Sequence, residues 1–433
     1  MNGINREILR LAIPSIVTNI TVPLLGMVDV AIVGHIGNAS HIAAIALATM
    51  VFNLIYWGFG FLRMGTSGLT AQAYGANDKA EYLSVLVRGC TIALGVAFTL
   101  IALQYPIAQL CRRLLHTSEL TLQLTLQYFY IRIWAAPATL GLYVLKGWFI
   151  GMQNAKTPMF IAILLNCVNI LFSLLFVFAF NAGIAGVAWG TVIAQYSGLL
   201  LAIILWFKHY GDLRHDIRIR ESLEWQKMIG FFKINADIFL RSLCLIAVFT
   251  FIPYISAAMG DTIVAANTLL MQLFTLLSYI VDGFAYAGES LVGRFIGAKD
   301  ELALRSHIRY LLLWGVLTAA LFTLLYATCG RGILRIFTND QNVIETAMQY
   351  LIWTIFVPFA GFAAFIYDGI YVGATASRAM LSTILIATIA FFIAYYCLFP
   401  LIGNNGLWIA FLLFLILRGS LMFALEKKHI KIR

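Results

Sequence analysis

A chain of 433 residues that is 62% hydrophobic and only 11% charged cannot hide its apolar surface in a soluble fold, where about a quarter of residues carry charge. The bilayer is its solvent, and ordinary soluble enzymes are excluded. The net charge of +10 would hint at nucleic acid in a soluble protein, but here the placement of each Lys and Arg says more than the sum.

A membrane span needs roughly 20 apolar residues. Runs of that length fall near residues 9–34, 42–73, 82–107, 123–150, 157–180 and 183–207. A polar stretch, Lys208 to Lys227, follows. Further runs lie near 228–258, 263–293, 307–328, 345–374, 379–401 and 405–425. The first, from Leu9 to about Val33, is too long for a signal-peptide core and lacks a small-residue exit, so it reads as a span. The fold class expected is all-α integral membrane with twelve transmembrane helices.

With the N-terminus on the cytoplasmic side, the inner segments hold most of the cations, from Arg6, Arg10 and Lys79 to the tail Lys427, Lys428, Lys431 and Arg433. The outer loops hold only Arg112, Arg113, Arg331 and Arg335. This bias predicts both termini on the cytoplasmic side of the membrane. It also accounts for the net charge without nucleic acid.

The halves repeat. Leu69–Asp78 (LTAQAYGAND) recurs as Leu291–Asp300 (LVGRFIGAKD), and Ile133-Trp134 as Ile352-Trp353. Lys146-Gly147 with Gly151 recurs as Asp368-Gly369 with Gly373, at the same offset of 222 as the first pair. Asn181-Ala-Gly183 recurs as Asn404-Asn-Gly406. Six spans per repeat is an even number, so both halves run the same way up, as a parallel repeat. The expected division is an N-terminal lobe 1–208, a solvated cytoplasmic linker 209–227 and a C-terminal lobe 228–433. Two such lobes suggest a transporter working by alternating access, with a channel as the alternative.

No nucleotide site is visible. Gly151-Met-Gln-Asn-Ala-Lys156-Thr157 lacks the second glycine of a phosphate loop and no strand precedes it. The six cysteines form no CxxC pair and read as small hydrophobes. No cofactor, metal or catalytic residue is expected. HExxH, GxGD and Ser–His arrangements are all missing, which argues against an intramembrane enzyme. Work must then come from an ion gradient, and the coupling group must be ionisable and inside the membrane.

Asp29 is the sharpest candidate. It lies in span one, six residues before the outer end expected at His35. Pro23 lies six residues earlier, cannot donate to the carbonyl of Asn19, and so favours a hinge. Asn19, Gly26 and Asp29 share one helix face. Span five carries Asn166, Asn169 and Ser173 as one polar stripe, and span six carries Thr191 and Gln195. These could line a substrate cavity with Asp29, or act as interhelical glue. The second lobe offers ion or gate candidates. Asp237 and Arg241, at i and i+4, are expected to pair with each other. Asp282 and Glu289 lie in span eight, where either could meet Arg63 of span two as a latch. Asp368, in span ten, is a second ion-site candidate.

Leu11-Ala-Ile-Pro14, Pro23-Leu-Leu-Gly-Met-Val-Asp29 and Gly34-His-Ile-Gly37, with Asp282-Gly-Phe-Ala-Tyr-Ala287 and Asp368-Gly-Ile-Tyr-Val-Gly373, resemble the multidrug and toxic compound extrusion (MATE) family, in particular its DinF-like branch. The resemblance runs over essentially the whole chain. It implies a two-lobed exporter that exchanges protons, or sodium, for small organic, often cationic, molecules. It implies that Asp29 takes up the proton, that Asn169 matches an asparagine of span five, and that Asp368 matches a carboxylate of the sodium-driven branch. Ser173 and Gln195 depart from the pattern, since many relatives have aspartate at the first position and some have glutamate at the second. Asp29 is then the lone carboxylate within the spans of its lobe, which favours simple protonation. The partners expected are the substrate, protons (or sodium) and the bilayer, with the protein acting as a monomer. The rival reading is a lipid-linked sugar flippase. It would need basic residues in the cleft, and span two offers only Arg63.

Overall fold

The computed structural model describes residues 3–34, 39–115 and 117–432, apart from the side chains at 22, 24, 25, 30, 34 and 39. The span end expected at His35, residues 35–37 of the first motif, and Arg433 lie outside the described residues.

Among the described residues, twelve helices are long and apolar enough to cross a membrane. They are α1 (Gly3–Val33), α2 (Ser40–Gly75), α3 (Lys79–Ala102), α4 (Glu119–Gly151), α5 (Lys156–Ala179), α6 (Gly183–Asp216), α7 (Trp225–Ala258), α8 (Asp261–Gly297), α9 (Glu301–Phe337), α10 (Gln341–Gly373), α11 (Ser377–Ile402) and α12 (Asn404–His429). A helix satisfies most of its backbone internally, as a lipid environment requires. Large apolar side chains such as Met27, Leu171, Phe98 and Ile393 stand exposed along them, which suits contact with acyl chains. One element escaped the hydropathy pattern. Span three stops at Ala102, and a separate helix, Gln104–Leu114, follows with Arg112 and Arg113 in its last turn.

The repeat is visible in backbone geometry. Asn77 and Lys299 both have positive φ, 56° and 58°. Each precedes an aspartate that caps the next helix. Asp78 accepts from the Glu81 amide at 3.0 Å, and Asp300 from the Ala303 amide at 2.9 Å. Such caps satisfy amides that the first helical turn leaves orphaned. Gln153 and Thr375 repeat the left-handed turn, with φ of 62° and 51°.

Close helix contacts repeat as well. A Cβ at Gly147 would overlap the carbonyl oxygen of Arg63, and one at Gly369 that of Ala285. A Cβ at Gly151 would come within 2.7 Å of the Ser67 oxygen, and one at Gly373 within 2.5 Å of the Glu289 oxygen. Small residues let membrane helices approach this closely. Gly369→Ala is therefore expected to cost about 1–3 kcal/mol through overpacking, read as a lowered thermal unfolding midpoint. Gly95→Ala, with nothing within 4 Å of the new Cβ, should leave the midpoint unchanged or raise it slightly.

By contacts the chain divides into two units. The first holds Met1–Ile16, Gly75–Asn77 and Lys233–Arg433; the second holds Val17–Tyr74 and Asp78–Phe232. The division expected at 1–208, 209–227 and 228–433 differs from this at residues 1–16, at Gly75–Asn77 and over 209–232. The first turns of α1 pack with the C-terminal helices. Gly283 fits against Ala12 and Ile16, the Trp314 indole donates to Asn5 at 3.1 Å, and Glu7 meets the His307 ring at 3.2 Å. The 209–227 segment packs with the second unit and is not simply solvated. Ser222 is fully buried. Its hydroxyl donates to Ser84 at 2.9 Å, and its carbonyl accepts from Arg88 Nε at 3.1 Å. Most of its neighbours are exposed, as expected. The core of the second unit centres on Trp148, whose indole donates to the Tyr82 carbonyl at 2.8 Å and stands edge-on to Tyr210.

Candidate functional site

In the second unit the polar residues converge from α1, α4, α5 and α6. Asn19 and Asp29 of α1 are 8% and 6% exposed. The Asp29 Oδ1 atom has no hydrogen-bond partner among the described residues. Desolvating an unpaired carboxylate is costly.

The α5 stripe divides its labour. Asn166 donates to the Thr21 carbonyl at 3.1 Å, tying α5 to α1 two residues before Pro23. Asn169 is fully buried and donates to Thr191 Oγ1 at 3.0 Å, and Thr191 in turn donates to the Val187 carbonyl. The Asn169 Oδ1 atom has no partner among the described residues. Ser173 is fully buried against Gly190, and a Cβ there would come within 2.8 Å of the Ser173 nitrogen. This contact explains the glycine at 190, because a side chain there would run into Ser173. Just beyond it α5 widens into a π turn, Leu175–Ala179, a deviation common near functional positions. Gln195 is half-buried and makes no hydrogen bond among the described residues. Asn166→Ala is expected to lower stability by roughly 0.5–1.5 kcal/mol, the net value of one hydrogen bond, seen in thermal unfolding.

Sequence reasoning missed Arg132. It sits in α4 just before a tight turn, Ile133–Ala135. Its Nη1 donates to the Tyr128 hydroxyl at 3.2 Å, and its guanidinium lies over the Phe52 ring, 4.7 Å from the centroid. It interacts electrostatically with Asp29, Tyr56 and Tyr128. The cation that acts on Asp29 is therefore one held in place by aromatic residues. A lone arginine inside an apolar run was the available signal.

The first unit holds a different arrangement. Asp368 of α10 accepts, on Oδ2, from Arg241 of α7 and from Arg418 of α12, the latter at 2.6 Å. All three are buried. The expected Asp237–Arg241 pair does not form. Asp237 instead accepts from the Ser377 hydroxyl at 2.8 Å. The i, i+4 spacing permits a local pair worth a few tenths of a kcal/mol, but two bonds to a buried carboxylate outweigh it. Arg418, also missed in the sequence, interacts electrostatically with Asp282. Glu289 is fully buried in α8, and Arg63 is half-buried in α2. For Asp368 as an ion site the consequence is direct, since a cation would have to displace two guanidinium groups. Among the described residues no cluster of three His, Cys, Asp or Glu suits a metal, and all six cysteines are free.

The MatE family model matches residues 14–175 and 238–396. DNA damage-inducible protein F of Escherichia coli is 34% identical over 98% of this chain and 92% of its own. Multidrug resistance protein MdtK of Photorhabdus laumondii is 23% identical over 97% and 94%. The Vibrio cholerae MATE transporter VcmN, in its bent form, superimposes with a TM-score of 0.87 over 99% of this chain and 97% of that one, at 18% identity.

Proposed function

Because this chain belongs to the MatE family, and so is a multidrug and toxin efflux transporter, not an enzyme, we propose that it is a secondary active exporter that antiports organic compounds against protons by alternating access of its two lobes. The observation that carries the reading is Asp29, a buried carboxylate with an unpartnered oxygen, on the helix that contains Pro23 and opposite Arg132. In its charged form Asp29 attracts either Arg132 or a cationic substrate. Protonation from outside removes that attraction, lets α1 yield at Pro23 and releases the substrate. The deprotonated carboxylate then accepts the next substrate from inside. One charge moved through the membrane gains roughly 2.3 kcal/mol per 100 mV. Sodium coupling is less well supported, because Asp368 already binds two arginines. On this reading the protein acts as a monomer in the inner membrane with both termini in the cytoplasm, an orientation that the Lys and Arg bias supports.

The test is ethidium efflux from proteoliposomes under a proton gradient, a sodium gradient or neither. Efflux driven by protons alone supports the proposal. Efflux driven by sodium alone overturns the coupling ion, and no efflux under any gradient overturns export of this substrate class.

One observation favours a second reading. The half-buried cations Arg132 and Lys146 of α4 supply the basic groups that a pyrophosphate-linked lipid would need and that the sequence offered only at Arg63. Saturable binding of a labelled lipid-linked sugar precursor would move the assignment to a flippase.

A further inference from the structure

The second unit carries a crevice between α3, α4 and α6 that shares no residue with the polar site. It encloses about 330 Å³, within the roughly 300–1,000 Å³ of small-ligand sites. Every residue that lines it is apolar or glycine. Leu94, Ile203 and Phe207 of the lining stand exposed on helices apolar enough to cross a membrane. The crevice therefore opens where acyl chains lie.

One end is covered by the segment that follows α6. Ile217 is part of the lining. Five residues later Ser222 is held to Ser84 and Arg88, on the stretch of α3 that supplies Leu86 and Cys90. Beside these anchors Ile219 and Trp225 are exposed, the latter at 76%. An exposed tryptophan among cations is the pattern of a membrane interface. From Lys208 to Lys227 there are five Lys and Arg and four Asp and Glu. Arg218 pairs with Glu221 and Lys227 with Glu224, each at 3.2 Å. That leaves Lys208, Arg214 and Arg220 against Asp212 and Asp216. Lys208 follows the lining residue Phe207, and Arg220 lies in the short turn Ile219–Ser222. Both are exposed and make no hydrogen bond or ion pair among the described residues.

We propose that this crevice is a phospholipid site, in which an acyl chain lies between α3, α4 and α6 and an anionic headgroup is held at the covered end by Lys208 and Arg220. The inference goes beyond the exporter reading and does not depend on what is exported. An acyl chain suits a wall of apolar side chains. A phosphate suits the end, because ammonium and guanidinium both bind it through charge-assisted hydrogen bonds, the guanidinium in a fork. On the orientation that the Lys and Arg bias supports, the lipid belongs to the cytoplasmic leaflet, whose anionic headgroups attract such cations. Bound there, it would tie the 209–227 segment to three helices of its own unit.

The test titrates the purified full-length protein in dodecyl maltoside with dioleoylphosphatidylglycerol or dioleoylphosphatidylcholine. The readout is the lipid concentration that gives half of a saturable rise in the thermal unfolding midpoint. The wild type is expected to bind phosphatidylglycerol about tenfold more tightly, since each cation near a headgroup adds a several-fold preference. Lys208→Gln with Arg220→Gln should bring the two affinities together. Arg331→Gln with Arg335→Gln, near the end of α9, should leave the preference intact. Gly141→Leu fills the crevice, because a Cβ there meets only the tip of Leu199, at 3.5 Å. It should weaken both lipids at least tenfold and leave the lipid-free midpoint unchanged or higher. Equal affinity of the wild type for the two lipids marks ordinary contact with the surrounding bilayer and overturns the proposal. A preference that survives Lys208→Gln with Arg220→Gln overturns it too, as does one lost equally in the Arg331 and Arg335 variant, which reports net charge alone. Full binding by Gly141→Leu removes the crevice from the site. Should that variant fail to fold, the paired charge variants decide by themselves.

Discussion

Replacing Asp29 by asparagine is expected to bring proton-driven ethidium efflux from proteoliposomes down to the level of protein-free liposomes. The substitution keeps the shape of the side chain and removes only its ability to ionise. It leaves Arg132 without the charge it faces and gives the proton gradient nothing to act on in that lobe, where Ser173 and Gln195 are neutral. Fold should survive. The Asp29 Oδ1 atom has no hydrogen-bond partner to lose, so the unfolding midpoint is expected to stay within a few degrees, since about 1 kcal/mol shifts a chain of this size by no more than about 4 °C. Asp29→Glu should retain measurable exchange because it keeps an ionisable group on the same face. Full drug–proton exchange by the asparagine variant would remove Asp29 from the coupling mechanism.

The largest stability effect is expected at Asp368. Asp368→Asn leaves the buried guanidinium groups of Arg241 and Arg418 facing each other without their shared carboxylate. Breaking a buried ion pair by removing one partner costs about 3–5 kcal/mol, enough to abolish purification of folded protein. Removing all the charges together, as Asp368→Met with Arg241→Leu and Arg418→Leu, should restore much of the lost stability, because replacing a whole buried ionic group by apolar residues is often neutral. Asp237→Asn provides the contrast. It disturbs one hydrogen bond with Ser377, so its expected cost is about 0.5–1.5 kcal/mol. If Asp237→Asn proved the more damaging, Arg241 would be relying on Asp237 and not on Asp368. Thermal unfolding in detergent orders the variants.

The helices were legible in the sequence because a span is an average over some twenty residues, and one buried polar group does not spoil it. That same averaging hid Arg132 and Arg418. Each is a single cation in an otherwise apolar stretch, and the loop-counting that fixes orientation passes over it. Asp29 stood out because Pro23 and Asn19 gave it a local context. The Asp237–Arg241 expectation failed for a different reason. Spacing along one helix reports only neighbours on that helix, whereas the partner of Arg241 comes from a position 127 residues away. The repeat did carry long-range information, since the glycines after Lys146 and Asp368, aligned by sequence, make the same close helix contact. The close fit of Ser173 against Gly190 was not legible, because nothing in the sequence places those two positions together.

The membership of residues 3–16 in the C-terminal unit has a consequence for biogenesis. Ala12 and Ile16 await Gly283, and Glu7 and Asn5 await His307 and Trp314. A ribosome adding roughly 5–20 residues per second needs on the order of 15–60 s after the first helix emerges before these partners exist. During that interval the start of α1 lacks its native packing partners, whatever the remainder of its lobe has achieved. Assembly therefore closes on the earliest-made segment last, and a chain that stops after α6 would leave that segment permanently unsatisfied and a natural target for quality-control proteases.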